Sequence, residues 1–172
     1  MTEPEVWLRG PLPDVLPELQ PVAHSLLQVR EEIEAAASLS PEQLSARPGG
    51  AASIGFHLTH LAGSLDRLLT YARDETLNAA QRAALAAEER EDTPGQSPDV
   101  LALDILVRAA LDALDRALAQ VRATPLCTLD EARAVGRARL PSTVLGLLVH
   151  AAEHAQRHSA QIITTAKILK GS

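Results

Sequence analysis

The chain has 172 residues, 46% of them apolar, which suits one domain with a real core and argues against wholesale disorder. Aromatics are only 2% (Trp7, Phe56 and Tyr71), so the core must be built from Leu, Ala, Val and Ile, a composition that favours helix over sheet. A net charge of −6 without a basic face speaks against nucleic-acid binding, and the single cysteine, Cys127, excludes an intramolecular disulfide and a cysteine-based zinc cluster.

The first helix is expected over about 18–38. Val15, Leu19, Val22, Leu26, Val29, Ile33 and Ala36 alternate spacings of four and three, the seam of a bundle helix. Pro17 and Pro21 place its regular start between them, because an interior proline removes a hydrogen bond. Residues 39–50 read as a turn, with one short helical turn at Pro41–Leu44. A second helix over about 51–73 carries the stripe Ile54, Leu58, Leu61, Leu65, Leu68 and Ala72. Residues 78–90 have helix propensity but little bulk, so a short peripheral helix is expected there. The third long helix should span about 98–123, with Ser97 as cap, Pro98 at its first position, and Leu103, Val107, Ala110, Leu114, Leu118 and Val121 as its seam. Residues 124–139 lose the helical period and form either a hairpin or an ordered loop. The last helix is expected over about 141–170, stopped by Gly171. These elements predict an all-α, single-domain four-helix bundle with a short extra helix and an irregular or hairpin segment before the last helix.

Five of the six histidines fall in two clusters: His57 and His60 on the second long helix, His150, His154 and His158 on the last. His24 stands alone and reads as structural or surface. On a helical wheel the last helix shows an apolar stripe through Leu140, Val144, Leu148, Ala151, Ala155, Ile162 and Leu169; His158 lies inside it, His154 at its edge, His150 further round. His150 and His158 are about 12 Å apart along the axis, too far to share an ion, whereas neighbours one turn apart form a common chelate. The pair His154 and His158 is therefore favoured. A third ligand must come from another helix; the second offers His57 and His60, between which periodicity does not choose. Three imidazoles suit Zn²⁺, Ni²⁺, Fe²⁺ or Cu²⁺ and leave positions open for water or substrate. A structural or surface role for the histidines is the competing reading, but burying several imidazoles without partners is costly.

Two stretches carry a family resemblance: Phe56-His57-Leu58-Thr59-His60-Leu61-Ala62-Gly63-Ser64-Leu65-Asp66-Arg67-Leu68, and His150-Ala151-Ala152-Glu153-His154-Ala155-Gln156-Arg157-His158-Ser159-Ala160-Gln161. With Arg47-Pro48-Gly49-Gly50 and Leu140-Pro141-Ser142-Thr143, they resemble the DinB/YfiT-like superfamily of metal-binding four-helix bundles across nearly the whole chain. The resemblance implies a histidine triad of His60, His154 and His158, choosing His60 over His57. Ala160, where the family usually has Gly, and Ser159, where Arg is frequent, depart from the pattern without removing a ligand. His57 and His150 have no fixed role in it and stand as cleft residues or alternative ligands.

The resemblance further implies a divalent ion (Zn, Ni or Fe) and an enzyme that activates a metal-bound thiol or water, as a thiol S-transferase or a hydrolase. A small-molecule substrate, such as a low-molecular-weight thiol, is expected with it. The alternative is a non-catalytic metal- or ligand-binding stress-response bundle; a purely structural dimer module is a third reading. Glu153 is a candidate acceptor for a ligand histidine, although the wheel points it away and a solvated carboxylate is its simpler reading. Arg133 and Arg137 are candidates for binding an anionic substrate or for a plain surface role. A homodimer is expected from the habit of such bundles. The N-terminus shows no basic region followed by an apolar stretch and no long apolar run occurs, so a cytoplasmic protein without membrane spans is expected.

Overall fold

The computed structural model describes residues 3–35, 39–91 and 103–171. Its helices are α1 (Gln20–Ala35), α2 (Pro41–Ser45), α3 (Ile54–Ala72), α4 (Ala79–Glu91), α5 (Leu103–Ala123) and α6 (Val144–Lys170), with strands β1 (Ala132–Val135) and β2 (Leu140–Thr143) before α6. The four long helices form a bundle in which α3 packs against α5 and α6, and α1 packs against the same two. Leu26, Val29, Ile33, Leu58, Leu61, Leu65, Leu114, Leu148 and Ile162 are fully buried between them. Each such side chain contributes about 1.5–3 kcal/mol through removal from water, which is how an interior almost free of aromatics holds together. Among the described residues, no helix is long and apolar enough to cross a membrane.

The helix starts follow from side-chain caps. Ser53 Oγ accepts from Phe56 N at 3.1 Å and so delays α3 to Ile54. Ser40 and Gln43 form a reciprocal capping box on α2. Pro17–Leu19 is a single 3-10 turn, and Pro21 falls in the first turn of α1, where its missing donor has no intrahelical partner to lose. Residues 36–38, and the expected cap Ser97 and helix start Pro98, lie outside the described residues.

The segment before α6 is a hairpin. β1 and β2 pair antiparallel, Ala132 opposite Thr143 and Val135 opposite Leu140. This corrects the expected start of the last helix at 141. Pro141 is a strand residue, tolerated because both strands of a two-stranded sheet are edges. Thr143 Oγ1 then caps α6 by accepting from Gly146 N at 3.0 Å. Leu140, placed on the helical stripe by periodicity, is instead in β2 and 61% exposed. Gly136 turns the hairpin with φ +68°, a conformation open to glycine at no steric cost.

The low-bulk helix α4 is held by polar contacts in place of apolar ones. Asn78 Oδ1 accepts from Gln81 N at 2.9 Å, and Gln81 Nε2 donates to Thr70 Oγ1 at 2.7 Å and Asp66 Oδ2 at 2.8 Å on α3. Two turns later, buried Glu88 meets α3 again. That second clamp reaches the histidines.

Candidate metal centre

Packing of α3 against α6 sets His60 opposite His154 and His158. One ring nitrogen from each of the three lies within 4.8 Å of those of the other two. Ring centroids are 4.6 Å apart for His60–His158 and His154–His158, and 5.2 Å for His60–His154. His60 Nε2 stands 3.0 Å from His154 Nε2. Two nitrogens bound at about 2.0–2.1 Å to one ion are separated by roughly 2.9–3.4 Å at right-angled to tetrahedral geometry. The observed separation fits a shared ion with little movement.

Two further groups fix His60. Phe56, one turn earlier on α3, stacks on its ring at 5.5 Å and 13°. Glu88 Oε2 lies 2.9 Å from His60 Nδ1, and Arg67 grips the same carboxylate in a fork, Nη1 to Oε1 at 2.7 Å and Nη2 to Oε2 at 2.9 Å. Glu88 is 4% and Arg67 8% exposed, so the pair is screened little by water. Burial pushes the Glu88 carboxyl up, but hydrogen bonds from His60 and Arg67 and their charges outweigh it and hold the group below the ordinary range. An ionised carboxylate only accepts, so His60 Nδ1 carries the proton, and in the neutral ring Nε2 keeps its lone pair for the cluster.

Gly63 makes room for this arrangement. It lies between His60 and Arg67 on one face of α3, and a Cβ there would overlap Glu88 Oε1 and stand 2.7 Å from Arg67 Nη1. The carboxylate is thus seated against bare helix backbone.

His154 and His158 are poised as neutral ligands. Burial first, then the charge of His60, lowers His154 to about 4; burial, then His60 and His154, lowers His158 to about 3. His154 Nδ1 is buried and has no hydrogen-bond partner among the described residues. Protein groups alone therefore do not satisfy the cluster. Three nitrogen donors within reach of one another and a fixed tautomer at His60 fit a divalent ion, and the three histidines could hold one.

The other residues singled out by the sequence fall at the rim of the cluster or elsewhere on the fold. His57 is 7% exposed and its Nδ1 lies 2.9 Å from His158 Nδ1, one ring donating and the other accepting. His150 is exposed, with Nδ1 3.3 Å from Glu153 Oε2. Glu153, also exposed, pairs in addition with Arg157 at 3.5 Å, so the carboxylate touching the triad is Glu88. Arg133 donates to Ala72 O at 2.9 Å and to Glu131 Oε2 at 2.8 Å. Ala72 is twelve residues beyond His60 on α3, about 18 Å along the axis. Arg137 sits in the hairpin turn at that same far end. His24 Nε2 donates to Gly10 O at 3.0 Å, tying the N-terminal segment to α1.

Periodicity misses Glu88, Arg67 and Gly63. The spacing of His60, Gly63 and Arg67 by three and four is a signal that the histidine face continues as a polar track. Nothing local shows that its partner waits on a helix 28 residues further along.

A family model described as the DinB superfamily matches residues 25–162, a span holding both histidine clusters, Arg67 and Glu88. No curated protein matches the chain.

Proposed function

The chain belongs to the DinB superfamily, and from that premise we propose that it is a divalent-metal-dependent enzyme acting on a small molecule with a thiol or water nucleophile, as a thiol S-transferase or a hydrolase. The observation that carries this reading is the convergence of the three histidine nitrogens within 4.8 Å, one of them oriented by a buried carboxylate. Imidazole donors suit Zn²⁺, Ni²⁺ or Fe²⁺, and three protein ligands leave coordination positions open, the mark of a catalytic rather than a structural site. When bound, such an ion supplies Lewis acidity that lowers the pKa of a coordinated thiol or water toward neutrality.

The chain's own residues do the rest. Glu88 holds the proton of His60 on Nδ1 and keeps Nε2 directed at the cluster. Arg67 keeps Glu88 ionised and immobile. His57 shares a hydrogen bond with His158 Nδ1 and so limits the rotation of that ring. Phe56 stacks on one face of His60 and limits the tilt of its ring.

The test is turnover of a panel of low-molecular-weight thiols with electrophiles, and of simple esters, after loading with each metal in turn. Turnover lost in His60→Ala supports the enzyme reading. Stoichiometric metal without turnover in any pairing favours a metal-binding bundle without catalysis. Turnover that survives in His60→Ala rejects the site.

A further inference from the structure

A second cleft lies at the far end of α3, between the α3–α4 connection, α4 and the hairpin turn. Its volume is about 370 Å³. It shares no residue with the histidine cluster: Tyr71, on its wall, is eleven residues past His60, about 16 Å along the helix. Three arginines are among its lining residues, Arg82 from α4, whose guanidinium donates to Leu77 O, and Arg137 and Arg139 from the hairpin turn. Among the described residues, the side chains of Arg137 and Arg139 make no hydrogen bond or ion pair. Two unpaired arginines lining one cleft are unexpected in a chain of net charge −6, where carboxylates are plentiful.

The opposing charges do not cancel them. Asp74 and Glu75 also line the cleft, but Glu75 already pairs with Arg73 at 2.8 Å. Three cations thus face one uncompensated carboxylate. Beneath them, Leu77, Leu85 and Ala86 supply an apolar floor. Arg139 is held at φ +48°, a strained backbone for a non-glycine residue.

We propose that this cleft is a binding site for a small organic anion with an oxyanion head, phosphate or carboxylate, and an apolar body. The head sits between Arg137 and Arg139, whose planar forks match oxyanions in a bidentate manner. The apolar body lies on Leu77 and Leu85, and Asp74 stands ready to accept from a hydroxyl or amine on the ligand. The site is independent of the metal reading, since neither its residues nor its charge balance involves the histidines.

The test is calorimetric titration of the full chain with phenyl phosphate, inorganic phosphate and benzyl alcohol, in wild type and in Arg137→Ala/Arg139→Ala. Both arginines are exposed, so the double variant should fold, and an unchanged melting temperature checks this. Phenyl phosphate is expected to bind wild type more tightly than inorganic phosphate does, with no binding of benzyl alcohol. The double variant should weaken phenyl phosphate by roughly tenfold or more, the loss expected for charge-assisted hydrogen bonds. Treatment with chelator should leave the wild-type affinity unchanged. Equal affinity in wild type and double variant, no binding to wild type, or loss of binding on chelation would each overturn the site. Distinguishing phosphate from carboxylate as the natural head follows from repeating the titration with benzoate.

Discussion

Gly63→Ala sets two effects against each other. In an interior helical position alanine is favoured over glycine by about 1 kcal/mol, so propensity alone predicts a more stable protein. The added Cβ, however, overlaps Glu88 Oε1 and comes 2.7 Å from Arg67 Nη1. The carboxylate must move, and with both partners buried no water replaces what it leaves. Loss of even one charge-assisted hydrogen bond costs about 1.5–3 kcal/mol. The balance is a net destabilisation of about 0.5–2 kcal/mol, a fall in melting temperature of roughly 1–8 °C for a chain of this size. Since Glu88 also orients His60, metal affinity should weaken together with stability. Calorimetric melts of chelator-treated protein and competition with a chromophoric chelator measure the two separately. A variant that melts higher and binds metal as wild type does would refute the claim that Glu88 is pinned against α3.

Other substitutions probe the same structure. Glu88→Gln preserves shape but weakens the acceptor for His60 Nδ1, and should lower metal affinity by about 10–100-fold in the same competition assay. Ile162→Ala, at a fully buried core position, should cost about 2–5 kcal/mol in urea unfolding while leaving metal stoichiometry unchanged. The pH dependence of the metal-free protein has a definite sign. Folded His154 and His158 titrate at about 4 and about 3, below the unfolded value of 6.5, so the unfolded chain binds more protons in between. Their contribution is intact above pH 6.5 and is lost as pH falls from there toward 4 and then 3, at up to about 1.4 kcal/mol per pH unit per ring. Denaturant midpoints from pH 8 to 4 check this, and the His154→Ala/His158→Ala variant should show a shallower decline.

The architecture is readable wherever periodicity reports burial. The seams on α1, α3 and α5 recur as buried Val22, Leu26, Ile33, Leu58, Leu65, Leu114 and Val121, because a stripe repeating every three to four residues has one stable use in a bundle. The same logic misplaces the start of α6: Leu140 fits the helical phase, but Thr143 caps the helix and Pro141 lies in a strand, and neither fact leaves a trace in the period. The two clusters of histidines are visible by spacing, while the choice of His60 beside His154 and His158 comes from family resemblance. Glu88 stays hidden, since its role depends on a polar helix folding back onto Arg67. Helix α4 reads as peripheral for want of apolar bulk, and its hold on α3 is through Gln81 and Glu88.

The central claim is that His60, His154 and His158 together hold an ion, and elemental analysis of protein purified without an affinity tag tests it most directly. Wild type should retain about one divalent ion per chain, as a single three-ligand site requires. His154→Ala/His158→Ala, verified as folded, should retain almost none. Equal metal content in the two proteins would contradict the account.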